Sequence, residues 1–234
     1  SDMLVTTPAR LRKLTAGEAA TMAVRIQSQR GVNQETAPKV LVQARKAAAP
    51  YPNDPGAQIV LAEAEYDARN YALAEAAASR ALAAAPAMSD ALVYRAMSKL
   101  ALAQQGKGES WRAVRDAIID ANQADPEDPR PLILYYESFA AAGEAPTKSA
   151  KAGYAKAFDI AHFDMGLRMG ATAMFLNDGN RGEAREALRL VGFHPHGGAR
   201  AEQARMMIAA IDRGDAADKV LAIRAKTEAD TGDK

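Results

Sequence analysis

Apolar residues recur every three or four positions along this chain, almost without interruption from about residue 15 to about residue 229. No segment shows the strict alternation that is typical of a half-buried strand. The pattern is divided by helix-start signals, in which a capping oxygen or a proline without an N–H stands at the first turn. These signals are Asp54-Pro55, Ser89-Asp90 and Asp128-Pro129. The pattern therefore predicts an all-α protein.

The helix starts recur at a nearly constant distance. Starts at Pro55, Ser89, Pro129, Met165 and about Gly198 are separated by 34, 40, 36 and 33 residues. Each interval has room for two helices. A repeat of this length predicts a solenoid, because one helix pair cannot bury its apolar side alone and must stack on its neighbours.

Residues 55–86, PGAQIVLAEAEYDARNYALAEAAASRALAAAP, carry the motif of a known family. The segment resembles a tetratricopeptide repeat (TPR), although Gln58 stands where the family has a tryptophan. Leu61 and Ala62 correspond to the family's Leu-Gly pair, and Asn70, Tyr71 and Ala74 correspond to its turn and the start of its second helix. Ala81, Leu82 and Pro86 correspond to the closing Ala-Leu-Pro. The three following units keep fewer of these residues, so the resemblance covers roughly residues 55–195.

The resemblance implies an α-solenoid of about six antiparallel helix pairs, wound as a right-handed superhelix. The expected division is a capping pair at 15–49, repeats at 55–86, 89–126, 129–162 and 165–195, and a terminal pair at 198–228. Residues 1–14 are expected to be extended and to begin with a cloning remnant, Ser1-Asp2, and residues 230–234 are expected to be disordered. The natural protein is expected to begin earlier, with a signal peptide or another domain, in the bacterial periplasm or the cytoplasm.

Composition excludes several functions. The net charge of +1 is too small for a protein whose main partner is nucleic acid. The chain has no cysteine, which excludes thiolate metal sites, disulfides and a cysteine nucleophile. No apolar run approaches the ~18 residues of a membrane span.

Catalytic and metal-binding motifs are also missing. Neither H-E-x-x-H nor G-x-S-x-G occurs, and the only histidines are His162, His194 and His196. His194 and His196 flank Pro195 and could form half of a metal site, but two ligands fall short of the usual three or four. We therefore interpret the segment 191–200 as a turn between helix pairs, in which Phe193 is expected to pack against the neighbouring helices. We predict no catalytic residue, no metal and no cofactor.

The TPR resemblance implies that the first helix of each pair lines the inner wall of the superhelix. The family's inward positions correspond here to Ile59, Glu63, Tyr66, Val93, Met97, Leu100, Arg130, Ile133, Glu137, Met169, Ala173 and Leu176. Members that clamp a carboxylate use lysine and asparagine on this wall, where the present chain has apolar residues and glutamates. We therefore expect no carboxylate-clamp partner and instead a protein or peptide segment that is apolar or amphipathic.

Two functions remain open at this stage. The first is a non-enzymatic scaffold that binds a protein or peptide in this groove. The second follows from a further resemblance: DPEDPRPLILYYESF, DMGLRMG and HPHGG are similar to the C-terminal helical repeats of some alphaproteobacterial proteins with an upstream metallopeptidase-like domain. That resemblance implies an accessory module that positions substrate for a catalytic domain outside this sequence.

Overall fold

The structure is a computed structural model that describes residues 14–223, and within that range it contains helices and no strand. The predicted tail at 230–234 and the N-terminal segment up to residue 13 lie outside the described residues. The helices are α1 (Ala16–Gln29), α2 (Ala37–Ala48), α3 (Pro55–Asp67), α4 (Tyr71–Ala84), α5 (Ser89–Gln104), α6 (Trp111–Ala124), α7 (Pro129–Ala141), α8 (Lys148–Ile160), α9 (Met165–Asn177), α10 (Arg181–Gly192) and α11 (Gly198–Asp212), followed by α12, described from 217 to 223.

The first helix of each pair begins where the sequence signals place it. Helices α3, α5, α7, α9 and α11 start at the five residues used above to measure the repeat. Side-chain caps explain this agreement, since Asp54 Oδ1 accepts the free N–H of Ala57 at 2.9 Å. Helix α1 begins with a full capping box, in which the Glu18 N–H donates to Thr15 Oγ1 and the Thr15 N–H donates to Glu18 Oε2.

The turns inside the pairs share one backbone conformation. Each ends its first helix with a residue of positive φ, and at five of the six described turns this residue is a glycine: Gly31, Gly106, Gly143, Gly179 and Gly214. At Gly143 the next N–H, that of Glu144, donates to the Phe139 carbonyl at 2.8 Å, which is the bond of a Schellman motif. The turn from α3 to α4 makes the same bond but places Arg69 at φ 62°, a conformation that costs energy for a residue with a Cβ.

The described helices form two compact units, α1–α6 and α7–α12, here called unit 1 and unit 2. In unit 1 the first helices α1, α3 and α5 lie side by side. Small residues make this packing possible, because Ala62, Ala74 and Ala81 are fully buried where neighbouring helices meet. Valine, leucine and isoleucine side chains such as Val40 and Ile59 fill the remaining space in the same core.

Unit 2 has two hydrophobic clusters. One joins α8 and α9 around Tyr154 and Met174, and the other joins α9, α10, α11 and α12 around Leu188 and Met207. A buried arginine, Arg168, connects α9 to α10 by donating to the carbonyls of Glu186 and Ala187. It also donates to the carbonyl of His162, in the segment that precedes α9.

Candidate functional site

The predicted groove residues divide into a buried and an accessible set. The buried residues belong to the hydrophobic core of their unit and present no surface to a ligand: Ile59, Val93, Leu100, Met169 and Leu176. The accessible residues are half-buried or exposed: Glu63, Tyr66, Met97, Arg130, Ile133, Glu137 and Ala173. Seven of the twelve predicted groove residues are therefore accessible to a ligand.

In unit 1 the accessible residues lie on a continuous face of α1, α3 and α5. We define the α1–α3–α5 face by Arg25, Glu63, Tyr66, Asp67, Asp90, Tyr94 and Met97. On α3, Tyr66 and Asp67 follow Glu63 by three and four residues, and on α5, Tyr94 and Met97 follow Asp90 by four and seven, which places the members on one side of each of these helices. The rings of Tyr66 and Tyr94 bridge α3 and α5 edge to face, with centroids 6.1 Å apart. Tyr66 also contacts Tyr71 at the start of α4, with centroids 5.2 Å apart.

Charged groups connect the same three helices. Arg25 Nη2 of α1 donates to Asp90 Oδ2 of α5 at 3.1 Å, and the two side chains are 43% and 34% exposed. On α3 the Glu63 carboxylate accepts a hydrogen bond from the Tyr94 hydroxyl. Asp67 lies one turn after Glu63. The face thus carries three carboxylates, those of Glu63, Asp67 and Asp90, and one guanidinium.

Partial burial raises the pKa of two of these carboxylates. Burial raises the pKa of Glu63 above its ordinary value, and the negative charge of Asp67 raises it further, against the lowering effects of Arg25 and the Tyr94 hydroxyl. Burial also raises the pKa of Asp67. Both groups therefore hold a negative charge in a place where that charge is incompletely compensated by the protein.

Apolar surface continues the face toward the start of α1. A shallow pocket of about 120 Å³ is lined there by Leu14, Glu18, Thr21, Met22, Arg25, Gly56 and Val60. Met22 is 41% exposed. Together with Met97 on α5, this surface offers methionine and tyrosine side chains that adapt to an apolar partner.

Sequence reasoning missed four residues of this face, namely Arg25, Asp67, Asp90 and Tyr94. Helix α1 lacks the repeat motif, so no inward position was assigned in it. Tyr94 follows directly after Val93, and adjacent residues on a helix point about 100° apart. This one-residue difference separates a buried valine from an accessible tyrosine. The four-residue spacing of Asp90 and Tyr94 is the signal in the sequence that could have found them.

The accessible residues of unit 2 are more dispersed. Arg130 is held by the N-cap of its own helix, since its Nε donates to both oxygens of Asp128 at 2.9 and 3.0 Å. Ile133 packs against the cluster around Tyr154. Glu137 is exposed on α7, and Ala173 is half-buried on α9. These residues therefore act in capping and packing or stand singly.

The histidine pair lies in the turn between α10 and α11, as expected for a junction between helix pairs. The His196 N–H donates to His194 Nδ1 at 3.2 Å. The two rings and Arg200 line a pocket of about 350 Å³. Among residues 14–223 no group of three or more histidine, aspartate, glutamate or cysteine side chains is placed to hold a metal ion.

Phe193, in the same turn, is 69% exposed. This corrects the expectation that it tucks against neighbouring helices. Nearby, the Gly192 carbonyl accepts a hydrogen bond from Arg205 Nη1 at 2.7 Å. This bond connects the end of α10 to α11 without a contribution from the Phe193 ring.

Comparison with known proteins establishes the fold. No protein-family model matches this chain, and no curated protein matches it by sequence. Among solved structures, the TPR protein TTC0263 of Thermus thermophilus matches at a TM-score of 0.63 and 17% identity, over 84% of this chain and 98% of that protein. PilF of Pseudomonas aeruginosa matches at a TM-score of 0.65 and 16% identity, over 94% and 93%.

MamA of Desulfovibrio magneticus RS-1 matches at a TM-score of 0.53 and 15% identity, over 76% of this chain and 94% of that protein. At such identities the likeness concerns the fold alone. The predicted TPR-like all-α solenoid is thereby confirmed. The upstream metallopeptidase-like domain stays a prediction. Within the described residues no helix is both long and apolar enough to span a bilayer.

Proposed function

We propose that this chain is a non-enzymatic scaffold that binds a segment of another protein on the α1–α3–α5 face. The observation that carries this proposal is the pair of half-buried tyrosines, Tyr66 and Tyr94, which bridge two helices beside the half-buried Met97. Aromatic side chains fixed on a rigid layer bind with little loss of conformational entropy. Stacked helix pairs provide extended binding surfaces of this kind.

The partner segment is apolar or amphipathic. Exposed Met22 on α1 and half-buried Met97 on α5 offer apolar contacts on the two outer helices, whereas Glu63 and Asp67 lie on α3 between them. A helix with one apolar side, or an extended segment with alternating side chains, fits such a surface. The TPR-like solved structures support the proposal, since their fold provides surfaces of this kind.

Selection of peptides against the full chain tests this proposal. A display library of random 12-residue peptides is selected on the purified protein, and each recovered peptide is measured by fluorescence anisotropy. Met97→Lys places a charge on the face at a half-buried side chain that packs against the core of unit 1, so circular dichroism must first show that the variant is folded. The folded variant is expected to bind the selected peptides at least 10-fold more weakly. Val93→Asp is unsuitable for this purpose, because Val93 is fully buried and the substitution would disrupt folding.

Leu73→Lys is the matched control. Leu73 is 51% exposed on α4, a second helix of unit 1, so an apolar side chain is again replaced by lysine, but away from the face. It is expected to leave binding unchanged. Peptides that bind Met97→Lys and Leu73→Lys equally well, or the recovery of no binding peptide, would contradict the proposal.

A further inference from the structure

Building on the proposed function, we infer that the segment bound by the α1–α3–α5 face carries a lysine or arginine side chain among its apolar residues, and that Glu63 and Asp67 receive this cation. From the TPR resemblance we expect no partner with a clamped carboxylate. The structure goes further, because it indicates a partner of the opposite charge.

Charge balance on the face is the first argument. Its ionisable members are the carboxylates of Glu63, Asp67 and Asp90 and the guanidinium of Arg25, so three negative charges face one positive charge and the face carries two excess negative charges when all are ionised. Arg25 is already bonded to Asp90 at 3.1 Å. The excess therefore resides on Glu63 and Asp67, which lie one turn apart on α3.

The second argument is the environment of these two carboxylates. Both are half-buried, and the groups around Glu63 are Asp67 on its own helix, Arg25 on α1, and Asp90 and Tyr94 on α5. Burial and mutual repulsion raise the pKa of Glu63, so its ionised form lacks compensation from the protein. A bound ammonium or guanidinium would supply that compensation in a partly desolvated place, where a charge pair is stronger than on an open surface.

The third argument is the aromatic neighbourhood. The Tyr94 hydroxyl donates to Glu63, and the Tyr66 ring stands edge to face with the Tyr94 ring. A cation placed at the carboxylates is thus next to two tyrosine rings, which attract it through their faces. An acidic segment would meet three carboxylates and is disfavoured by like-charge repulsion.

The selected peptides provide the test. We expect lysine and arginine to be enriched among peptides that lose binding on Met97→Lys. The double variant Glu63→Gln/Asp67→Asn keeps the size and one acceptor oxygen of each side chain but removes the negative charge, and it is expected to weaken these peptides about 10-fold. Changing the peptide's own lysine to glutamine should cause a similar loss on the wild-type protein and little further loss on the double variant.

The pH dependence separates a cation contact from a packing effect. Binding of a cation requires ionised carboxylates, so affinity for a lysine peptide should fall as the pH drops through the raised pKa of Glu63. In Glu63→Gln/Asp67→Asn the same titration should be nearly flat. Circular dichroism at each pH shows that the variants remain folded.

The outcomes distinguish the two proposals. Peptides that are sensitive to Met97→Lys but show no lysine or arginine enrichment, or bind Glu63→Gln/Asp67→Asn with unchanged affinity, overturn the inference and leave the proposed function standing. If no selected peptide is sensitive to Met97→Lys, both proposals fail. An enrichment of aspartate and glutamate would likewise overturn the inference.

Discussion

Among the described residues, the most deeply buried charged residue of unit 1 is Glu65 and that of unit 2 is Arg168; they are 4% and 6% exposed. Glu65 is bonded to side chains, accepting from Arg45 Nε at 2.8 Å, Arg45 Nη2 at 2.9 Å and Asn70 Nδ2 at 2.9 Å. Arg168 is bonded to backbone carbonyls and lies over the Phe158 ring, 5.2 Å from its centroid.

This difference separates charged side chains that stabilise the fold from those that remain available to bind a partner. A guanidinium that donates to backbone carbonyls joins its helices regardless of the side chains around it, and burial lowers the pKa of Arg168 because nothing anionic compensates it fully. Unit 1 satisfies its buried anion with Arg45 and Asn70 and leaves two further carboxylates, Glu63 and Asp67, half-exposed. We interpret the first kind of charge as part of the fold and the second as part of a binding surface.

Arg168→Met should have the largest effect on stability. The substitution keeps most of the side-chain volume but leaves buried carbonyls without donors, at about 1–3 kcal/mol for each. We expect the free energy of unfolding to fall by roughly 2–4 kcal/mol, measured by urea denaturation with circular dichroism.

Arg189→Met, on α10 of the same unit, serves as the control for Arg168. Its side chain is 52% exposed and pairs with Glu186 three residues earlier, so the expected loss is about 0.5 kcal/mol or less. Equal losses in the two variants would show that the carbonyl contacts of Arg168 contribute little.

Ala81→Leu should have the next largest effect and tests the close packing of unit 1. Ala81 is fully buried in the core of that unit, and added methylene groups there force neighbouring helices apart, at roughly 1–3 kcal/mol. Trp111, the only tryptophan of the chain, lies in α6 and reports unfolding of unit 1 by fluorescence. Ala84→Leu changes an exposed residue of the same helix and should leave the unfolding midpoint unchanged.

Substitutions in the turns should change the free energy of unfolding by about 1 kcal/mol. Arg69→Gly in unit 1 should raise the free energy of unfolding by about 0.5–1 kcal/mol, because glycine adopts the positive φ without a steric penalty. Gly143→Ala in unit 2 should lower it by about 1 kcal/mol. A Cβ at Gly143 would meet no atom within 4 Å, so only the backbone conformation is tested.

Gly182→Ala is the matched control for these turn variants. Gly182 lies inside α10, has no neighbour within 4 Å of an added Cβ and lacks a positive φ, so alanine should stabilise the helix by up to about 1 kcal/mol. Thermal unfolding of the three variants decides the matter. If Gly143→Ala and Gly182→Ala shift the midpoint in the same direction, turn conformation does not explain the glycines.

Much of this fold could be predicted because its determinants are local. Caps such as Asp54 and Asp128 and the glycines of the turns act within a few residues, so the starts of the helices could be located from the sequence. The binding face was harder, since its exposure depends on how neighbouring helices meet. Val93 and Tyr94 show this: they are adjacent on α5, but the packing of the neighbouring helices buries Val93 and leaves Tyr94 accessible.

Glu63→Gln should have the smallest effect and sharpens the comparison with Arg168. A carboxyl whose pKa is higher in the folded than in the unfolded state binds its proton more tightly when folded. The wild-type protein therefore loses stability as pH rises from the ordinary glutamate pKa of about 4.3 through the raised value, and the loss stays constant above it. Glutamine removes this loss.

Removal of this charge should therefore stabilise the protein near pH 7, whereas removal of the Arg168 charge destabilises it. The gain from Glu63→Gln should shrink toward zero as the pH approaches 4, and it should be smaller in an Asp67→Asn background, because part of the raised pKa comes from Asp67. Thermal unfolding between pH 4 and 8 measures both trends. A Glu63→Gln variant that is less stable than the wild type at pH 7 would instead assign Glu63 to the structural charges, and Asp67 would then be the one uncompensated carboxylate that the α1–α3–α5 face offers a partner.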